Sequence, residues 1–387
     1  MKRNFIANHV AELPKSGIRA FFDIVAQRHD IISLGVGEPD FDTPWHICRA
    51  AEVALEEGFT HYTSNLGTPQ LREAVSAYMS RRFNASYNPA NQVLITVGVS
   101  EALDLLIRAI CAPGDEVLYH EPCFVSYNPT IRLAHAVPVA VETYAQSNFR
   151  LTVDELEKKV TPKTKALILN FPCNPTGATL NDADMRAIAD FAIKHDILIV
   201  ADEVYSELAY DGNVRSFASI PEIADRLVVL NGFSKAWAMT GFRLGFACGP
   251  VEIIDMMMKI HQYGIMSAPT LSQFAGVEAL NRGDDDIAAM REEYRRRRNF
   301  IVASMNELGL KTFMPEGAFY IFPDITSTGL DSHTFALRLL EEHAVACVPG
   351  SAFGACGEGF IRCSYATSME KLKIAAERFG NFVRSLV

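Results

Sequence analysis

The chain has 387 residues, 49% of them hydrophobic and 21% charged, which is globular composition with mass enough for about two domains. Its net charge of −10 at pH 7 argues against a nucleic-acid surface and suits a protein that handles small molecules. The eight cysteines form no C-x-x-C pair, which disfavours a zinc ribbon or a disulfide framework and favours free thiols in a reducing compartment.

The N-terminal stretch MKRNFIANHVAELPKSGIRAFF is basic but lacks the apolar core of a secretory signal, and no apolar run reaches transmembrane length. A cytoplasmic location is expected. From residue 92 strands and helices alternate. QVLITVG (92–98) predicts a strand, and SEALDLLIRAIC (100–111) a helix with Leu103, Leu106, Ile107 and Ile110 on one face. DEVLYHEP, a helical stretch from Ser126 to Leu133, and the strand VPVAVET come next. LTVDELEKKV predicts a helix, KALILNFP a strand closed by the turn signal NPTG, and DADMRAIADFAIKHD a helix. ILIVADE and RLVVLNG are strands. These strands are short, β-branched and almost wholly apolar, as in a mostly parallel sheet covered by helices on both faces.

The texture changes after Arg291. REEYRRRRNFIVASMNEL predicts a long surface helix whose four arginines are solvated, with Glu292 and Glu293 four residues before Arg296 and Arg297. The strand GAFYIFPDI, the helix HTFALRLLEEH, the segment ACVPG and the strand GFIRCSYA complete an antiparallel α+β pattern, so a second, smaller domain is expected.

Open α/β sheets bind ligands beyond the carboxyl ends of their strands. Here KALILNFP runs into Asn174, ILIVAD ends at Asp202, and RLVVLNG leads to Ser234 and Lys235. The turn Gly98-Val99-Ser100 opens a helix whose free N–H groups suit an anion, although a serine at such a place is also an ordinary cap. Asp202 reads equally as an N-cap for a helix near Glu203 or as a partner for a cation or a metal. In LNGFSKAWAMTGFRLGFACGP, Lys235 and Arg243 have no carboxylate nearby in sequence. A desolvated lysine, an aspartate, an asparagine, an arginine and an anion-ready helix start match a ligand with an aldehyde, a basic ring nitrogen and a phosphate. Pyridoxal 5′-phosphate is such a ligand.

The motifs GEPDF, HYTSNLGTPQLREA, TVGVSEAL, NFPCNPTGATL, ADEVYSEL, NGFSKAWAMTGFRLGF and FIRCSYA follow one another in this order. In them the chain resembles the pyridoxal-phosphate-dependent aminotransferases of fold type I, class I/II, in the aspartate aminotransferase group. The resemblance implies a large α/β domain over residues 44–291, a small domain from 12–43 and 292–387, and an N-terminal arm over 1–11. It implies that Lys235 is the Schiff-base lysine and proton carrier and that Asp202 meets the ring nitrogen. Tyr205 and Asn174 would bond the ring's phenolic oxygen, and Phe124 would stack on the ring. Ser234, Arg243 and the backbone of Val99 and Ser100 would hold the phosphate, with Tyr62 reaching it in the neighbouring subunit of a homodimer. Arg362 would grip the substrate α-carboxylate, with Gly37 closing over it. Phe124, where many members carry Trp or Tyr, and Cys173 and Cys363 beside Asn174 and Arg362 depart from the common pattern and leave specificity open. The expected reaction is ping-pong transfer of an amino group from aspartate, an aromatic or a similar L-amino acid to a 2-oxo acid, 2-oxoglutarate above all. A C–S β-lyase on the same cofactor and a ligand-sensing regulator are the alternatives.

Overall fold

The computed structural model describes residues 5–13, 28, 30–210, 212 and 214–386. Its strands are β1 (Ile32–Ser33), β2 (Val93–Thr96), β3 (Glu116–Glu121), β4 (Val137–Glu142), β5 (Thr164–Asn170) and β6 (Leu198–Asp202). They continue with β7 (Leu227–Gly232), β8 (Gly245–Cys248), β9 (Tyr320–Ile321), β10 (Val345–Ala346), β11 (Val348–Pro349) and β12 (Ile361–Ser364). Seven form one sheet in the order β2-β8-β7-β6-β5-β3-β4. Pairs β3–β4, β3–β5, β5–β6 and β6–β7 are parallel, while β8 runs antiparallel to both β2 and β7.

The period-2 alternation of a strand explains why both faces are apolar. Leu167 and Leu169 of β5, Ile199 and Ala201 of β6 and Val229 of β7 enter one apolar cluster. Their neighbours Ala166, Ile168, Val200, Val228 and Leu230 enter another on the opposite face. The helix Pro69–Phe83 packs on the first, capped by the Thr68 side chain. The helix Gly98–Ile110 packs on the second.

A three-stranded antiparallel sheet, β11-β12-β9, lies with the helices Asp284–Glu307, Ser332–His343 and Met369–Ser385 around a further apolar cluster. Three expectations change here. GAFYIFPDI is strand only at Tyr320–Ile321, and LTVDELEKKV is helix only at Val153–Glu157. The arginine run is not wholly solvated: Glu292 does pair with Arg295 and Arg296, but the Arg297 side chain is only 7% exposed. It donates to Asp40 at 2.7 Å and to Glu293 at 2.9 Å, with its guanidinium 5.1 Å from the Phe41 ring. Residues 1–4, 14–27 and 29, which belong to the expected arm and small domain, lie outside the described residues. No helix among the described residues is long and apolar enough to cross a membrane.

Candidate active site

A cavity of about 410 Å³ opens off the carboxyl ends of β5, β6 and β7. It is lined by Gly37, Val99, Ser100, Phe124, Asn174, Asp202, Tyr205, Ser234, Lys235, Arg243 and Arg362, every residue expected from sequence except Tyr62. Tyr62 lies elsewhere and is 81% exposed.

Lys235 sits in the short helix Phe233–Ala236 directly after β7. Burial lowers its pKa from 10.5 to about 8, partly offset by the nearby Glu38 carboxylate. Its Nζ donates to the Gly37 carbonyl at 2.7 Å. Asp202 closes β6 and is buried. Burial raises its pKa from 3.8 to about 6, opposed by the Tyr127 hydroxyl, which donates to Oδ2 at 2.7 Å. The capping alternative is not what Asp202 does, because no α-helix begins at Glu203. The chain turns instead into the short 3-10 segment Ser206–Leu208, and only the Val204 N–H, 3.4 Å away, reaches Oδ1.

The anion end is built from backbone. Val97, preceding the helix Gly98–Ile110, gives no side-chain cap, so the first-turn N–H groups lack one. Gly98 has φ +74°, and a Cβ there would lie 2.9 Å from Arg243 Nη2. A Cβ on Gly245 would lie 2.7 Å from the Val99 nitrogen. Both glycines therefore keep the space beside this helix start open. Arg243 itself adopts a left-handed conformation, φ +50°, and its Nη1 bonds the Thr240 carbonyl at 3.1 Å.

Arg362, on β12, closes the opposite end. It is buried and has no carboxylate partner among the described residues. Nη1 donates to Asn174 Oδ1 at 2.9 Å, Nη2 donates to the Gly35 carbonyl, and Nε has no partner among the described residues. Rings of Tyr320 and Phe353 lie 4.6 Å and 4.9 Å from the guanidinium. Asn170, the last residue of β5, ties the two ends: its side chain donates to the Asp202 carbonyl and accepts from the Asn174 N–H, both at 3.0 Å.

Sequence reasoning passed over Tyr127, Asn170, Glu38, Thr240 and Tyr320, which also line the cavity. Asn170 met the criterion used for Asp202, a polar group ending an apolar strand. Glu38 and Thr240 lie inside the motifs GEPDF and NGFSKAWAMTGFRLGF but were given no role, and Tyr127 and Tyr320 carry no local signal, since a tyrosine in a helix or strand reads as core.

A cavity with a depressed lysine at one wall, a buried carboxylate, a helix start without a side-chain cap and an arginine with no carboxylate partner among the described residues suits an enzyme site for an anionic, carbonyl-bearing small molecule. Residues 29–379 match the family model "Aminotransferase class I and II". The chain is 48% identical to an aspartate aminotransferase of Pyrococcus abyssi, over 95% of this chain and 96% of that one. It is 47% identical to aromatic-amino-acid aminotransferase 2 of Thermococcus litoralis, over 95% and 96% of the two chains. The crystal structure of an aromatic aminotransferase from Pyrococcus horikoshii superposes with a TM-score of 0.91 at 45% identity, covering 95% of this chain and all of that one.

The chain belongs to the class I and II aminotransferases. It is a pyridoxal-phosphate-dependent transaminase of fold type I. The residues present fit that cofactor: the open helix start with Arg243 suits a phosphate, Asp202 suits a ring nitrogen, and the buried Lys235 amine suits an aldehyde.

Proposed function

We propose that this aminotransferase takes the amino group of aspartate, or of an aromatic or similar L-amino acid, and passes it to a 2-oxo acid, with 2-oxoglutarate the expected acceptor. The observation that carries the reading is Arg362. A buried guanidinium with an orphaned Nε and no carboxylate partner among the described residues calls for an incoming carboxylate. Its fork would receive the α-carboxylate common to every amino acid and 2-oxo acid, while Asn174 holds Nη1 in place. Gly37 would close over it.

Bound pyridoxal phosphate supplies an aldehyde that takes up the amino group and a ring that accepts electrons when a bond at the substrate Cα breaks. The chain does the rest. Asp202 would favour the protonated ring nitrogen, because an anion beside a basic group stabilises its charged form. Tyr205 and Asn174 would bond the ring's phenolic oxygen, and Phe124 would cover the ring face. Ser234, Arg243 and the N–H groups of Val99 and Ser100 would hold the phosphate. Lys235 Nζ, when free, takes the proton from the substrate Cα. Its depressed pKa raises the share of neutral amine near neutral pH far above that of an ordinary lysine. The two half-reactions alternate.

The working unit proposed is a cytoplasmic homodimer in which Tyr62 reaches the partner's phosphate. Support comes from the exposure of Tyr62 beside other exposed apolar side chains, Phe59, Tyr263, Ile265 and Met266, in two segments joined by the Asn65–Met266 hydrogen bond. All eight cysteines are free thiols, in keeping with a reducing compartment. The proposed division is a large domain over 44–291, a small one from 12–43 and 292–387, and an arm over 1–11. It is supported by the separate apolar clusters around the large sheet and around Tyr320, Phe335 and Phe379.

The test is the visible absorption of the purified protein with single amino acids and no oxo acid. A yellow band that bleaches with aspartate or with aromatic amino acids ranks the donors. Pyruvate released from a sulfur amino acid while the band persists would replace this reading with the lyase.

A further inference from the structure

Tyr320 lies at the junction of three groups that come from distant parts of the chain. It sits on β9 with its side chain fully buried. Its hydroxyl is 2.9 Å from the Tyr205 hydroxyl. Its ring faces the Arg362 guanidinium, 4.6 Å from the centroid. Its oxygen also abuts the segment at Gly37, where an added Cβ would lie only 2.5 Å from it.

The two ends of this side chain meet different chemistry. The ring's negative face partly compensates a guanidinium that has left water without a counter-ion. With Phe353 near the guanidinium as well, at 4.9 Å, Arg362 has two rings against it, while its N–H groups serve Asn174, Gly35 and a carboxylate. At the other end, a phenol oxygen both donates and accepts. A bond given by the Tyr320 hydroxyl to the Tyr205 oxygen leaves the Tyr205 proton for an acceptor inside the cavity. Donation into Tyr205 also strengthens Tyr205 as a donor.

We propose that Tyr320 is a positioning residue with two separable tasks: its ring presents Arg362 to the substrate carboxylate, and its hydroxyl aims the Tyr205 proton at the cofactor's phenolic oxygen. This rests on the roles read above for Arg362 and Tyr205. The side chain thus links the carboxylate end of the site to the cofactor end.

The experiment uses the holoenzyme and two kinds of variant. Tyr320→Phe removes only the hydroxyl. It is expected to raise the midpoint of the pH titration of the bound cofactor's visible band by about half a unit, because a weaker Tyr205 bond stabilises the deprotonated chromophore less. Its inhibition constant for 3-phenylpropanoate and for succinate should stay within about twofold of wild type, because the ring remains over Arg362. Tyr320→Leu removes the ring as well and should weaken both carboxylates by about fivefold to thirtyfold, the range of a desolvated cation–π contact. Where leucine fails to fold, Tyr320→Met, which fills more of the space, takes its place. A Tyr320→Phe midpoint equal to wild type overturns the hydroxyl task. Wild-type carboxylate binding in the aliphatic variants overturns the ring task. Tyr205→Phe and Arg362→Lys are the controls: if the first leaves the midpoint and the second leaves carboxylate binding unchanged, the underlying roles fail instead.

Discussion

The Lys235 ammonium donates a 2.7 Å hydrogen bond to the carbonyl of Gly37, a residue 198 positions earlier in the chain. The segment carrying Gly37 is fastened along its length. Gly35 accepts from Arg362, Glu38 accepts from Thr240, Asp40 holds Arg297, and Thr43 donates to the Ala238 carbonyl. The strap therefore touches both the lysine at the cavity wall and the arginine that closes one end of it.

Lys235 should capture pyridoxal phosphate faster as pH rises, with the rate levelling off above about 8, since the neutral amine is the nucleophile. Stopped-flow uptake by the cofactor-free protein gives the profile. A rate still climbing towards pH 10 would mean that burial does not depress this amine. Lys235→Ala should bind no cofactor covalently and lose at least roughly 10²–10⁴-fold in kcat.

Asp202→Asn should separate stability from catalysis. The native carboxyl, raised to about 6, binds its proton more tightly than the unfolded one at 3.8, so its burial lowers stability as pH rises across that window and costs the full amount above it. The cofactor-free variant should be more stable than wild type at pH 8, by up to roughly 2–3 kcal/mol, and no more stable below the window. Turnover should fall by roughly 10²–10³-fold. Thermal melts at both pH values and steady-state rates decide it.

Arg362→Lys keeps the charge but loses the planar fork and strands Asn174 Oδ1. KM for every amino acid should rise by about tenfold to a hundredfold, the worth of one or two charged hydrogen bonds. A change confined to one amino acid would mean that Arg362 reads side chains and not the shared α-carboxylate.

Asp40→Asn weakens the grip on buried Arg297 and leaves it Glu293 as its only carboxylate among the described residues. The expected loss is about 1–3 kcal/mol in denaturant unfolding. KM should rise as well, because Asp40 lies on the strap three residues beyond Gly37. Unchanged KM with lowered stability would confine this pair to holding the fold.

His46 bridges Glu278 at 2.8 Å and Asp286 at 2.9 Å, joining the helix Trp45–Glu56 to Thr270–Arg282 and Asp284–Glu307. Its bond to Asp286 is the main cause that raises its pKa above 6.5, against partial burial. A raised histidine contributes fully below 6.5 and loses that contribution as pH climbs through its folded pKa. The melting temperature of His46→Gln should therefore fall furthest below wild type near pH 6 and converge with it near pH 9, for an effect of about 1 kcal/mol. An equal gap at both pH values would show that packing alone matters at this site.

Much of the architecture was legible because the strands are buried on both faces and announce themselves as apolar runs. Asp202, Lys235 and Asn174 stood out as polar groups ending such runs. β8, GFAC, escaped notice because it overlaps the end of the motif that carries Lys235 and Arg243 and is only four residues long. Arg297 misled for the opposite reason. Its helical neighbours Glu292 and Glu293 offer a sufficient local account, while its second partner, Asp40, is 257 residues away.

By itself the sequence determined the class of sheet, most of its strands and helices in chain order, and the polar groups that end those strands. Periodicity and strand ends are local properties that any chain segment displays before folding. Only the tertiary structure decided which of those groups share a cavity, that Asp202 is buried enough to rise to about 6 and Lys235 to fall to about 8, and that Tyr320 stands between Tyr205, Arg362 and Gly37. Desolvation and long-range contact exist only once segments hundreds of residues apart exclude water from one another.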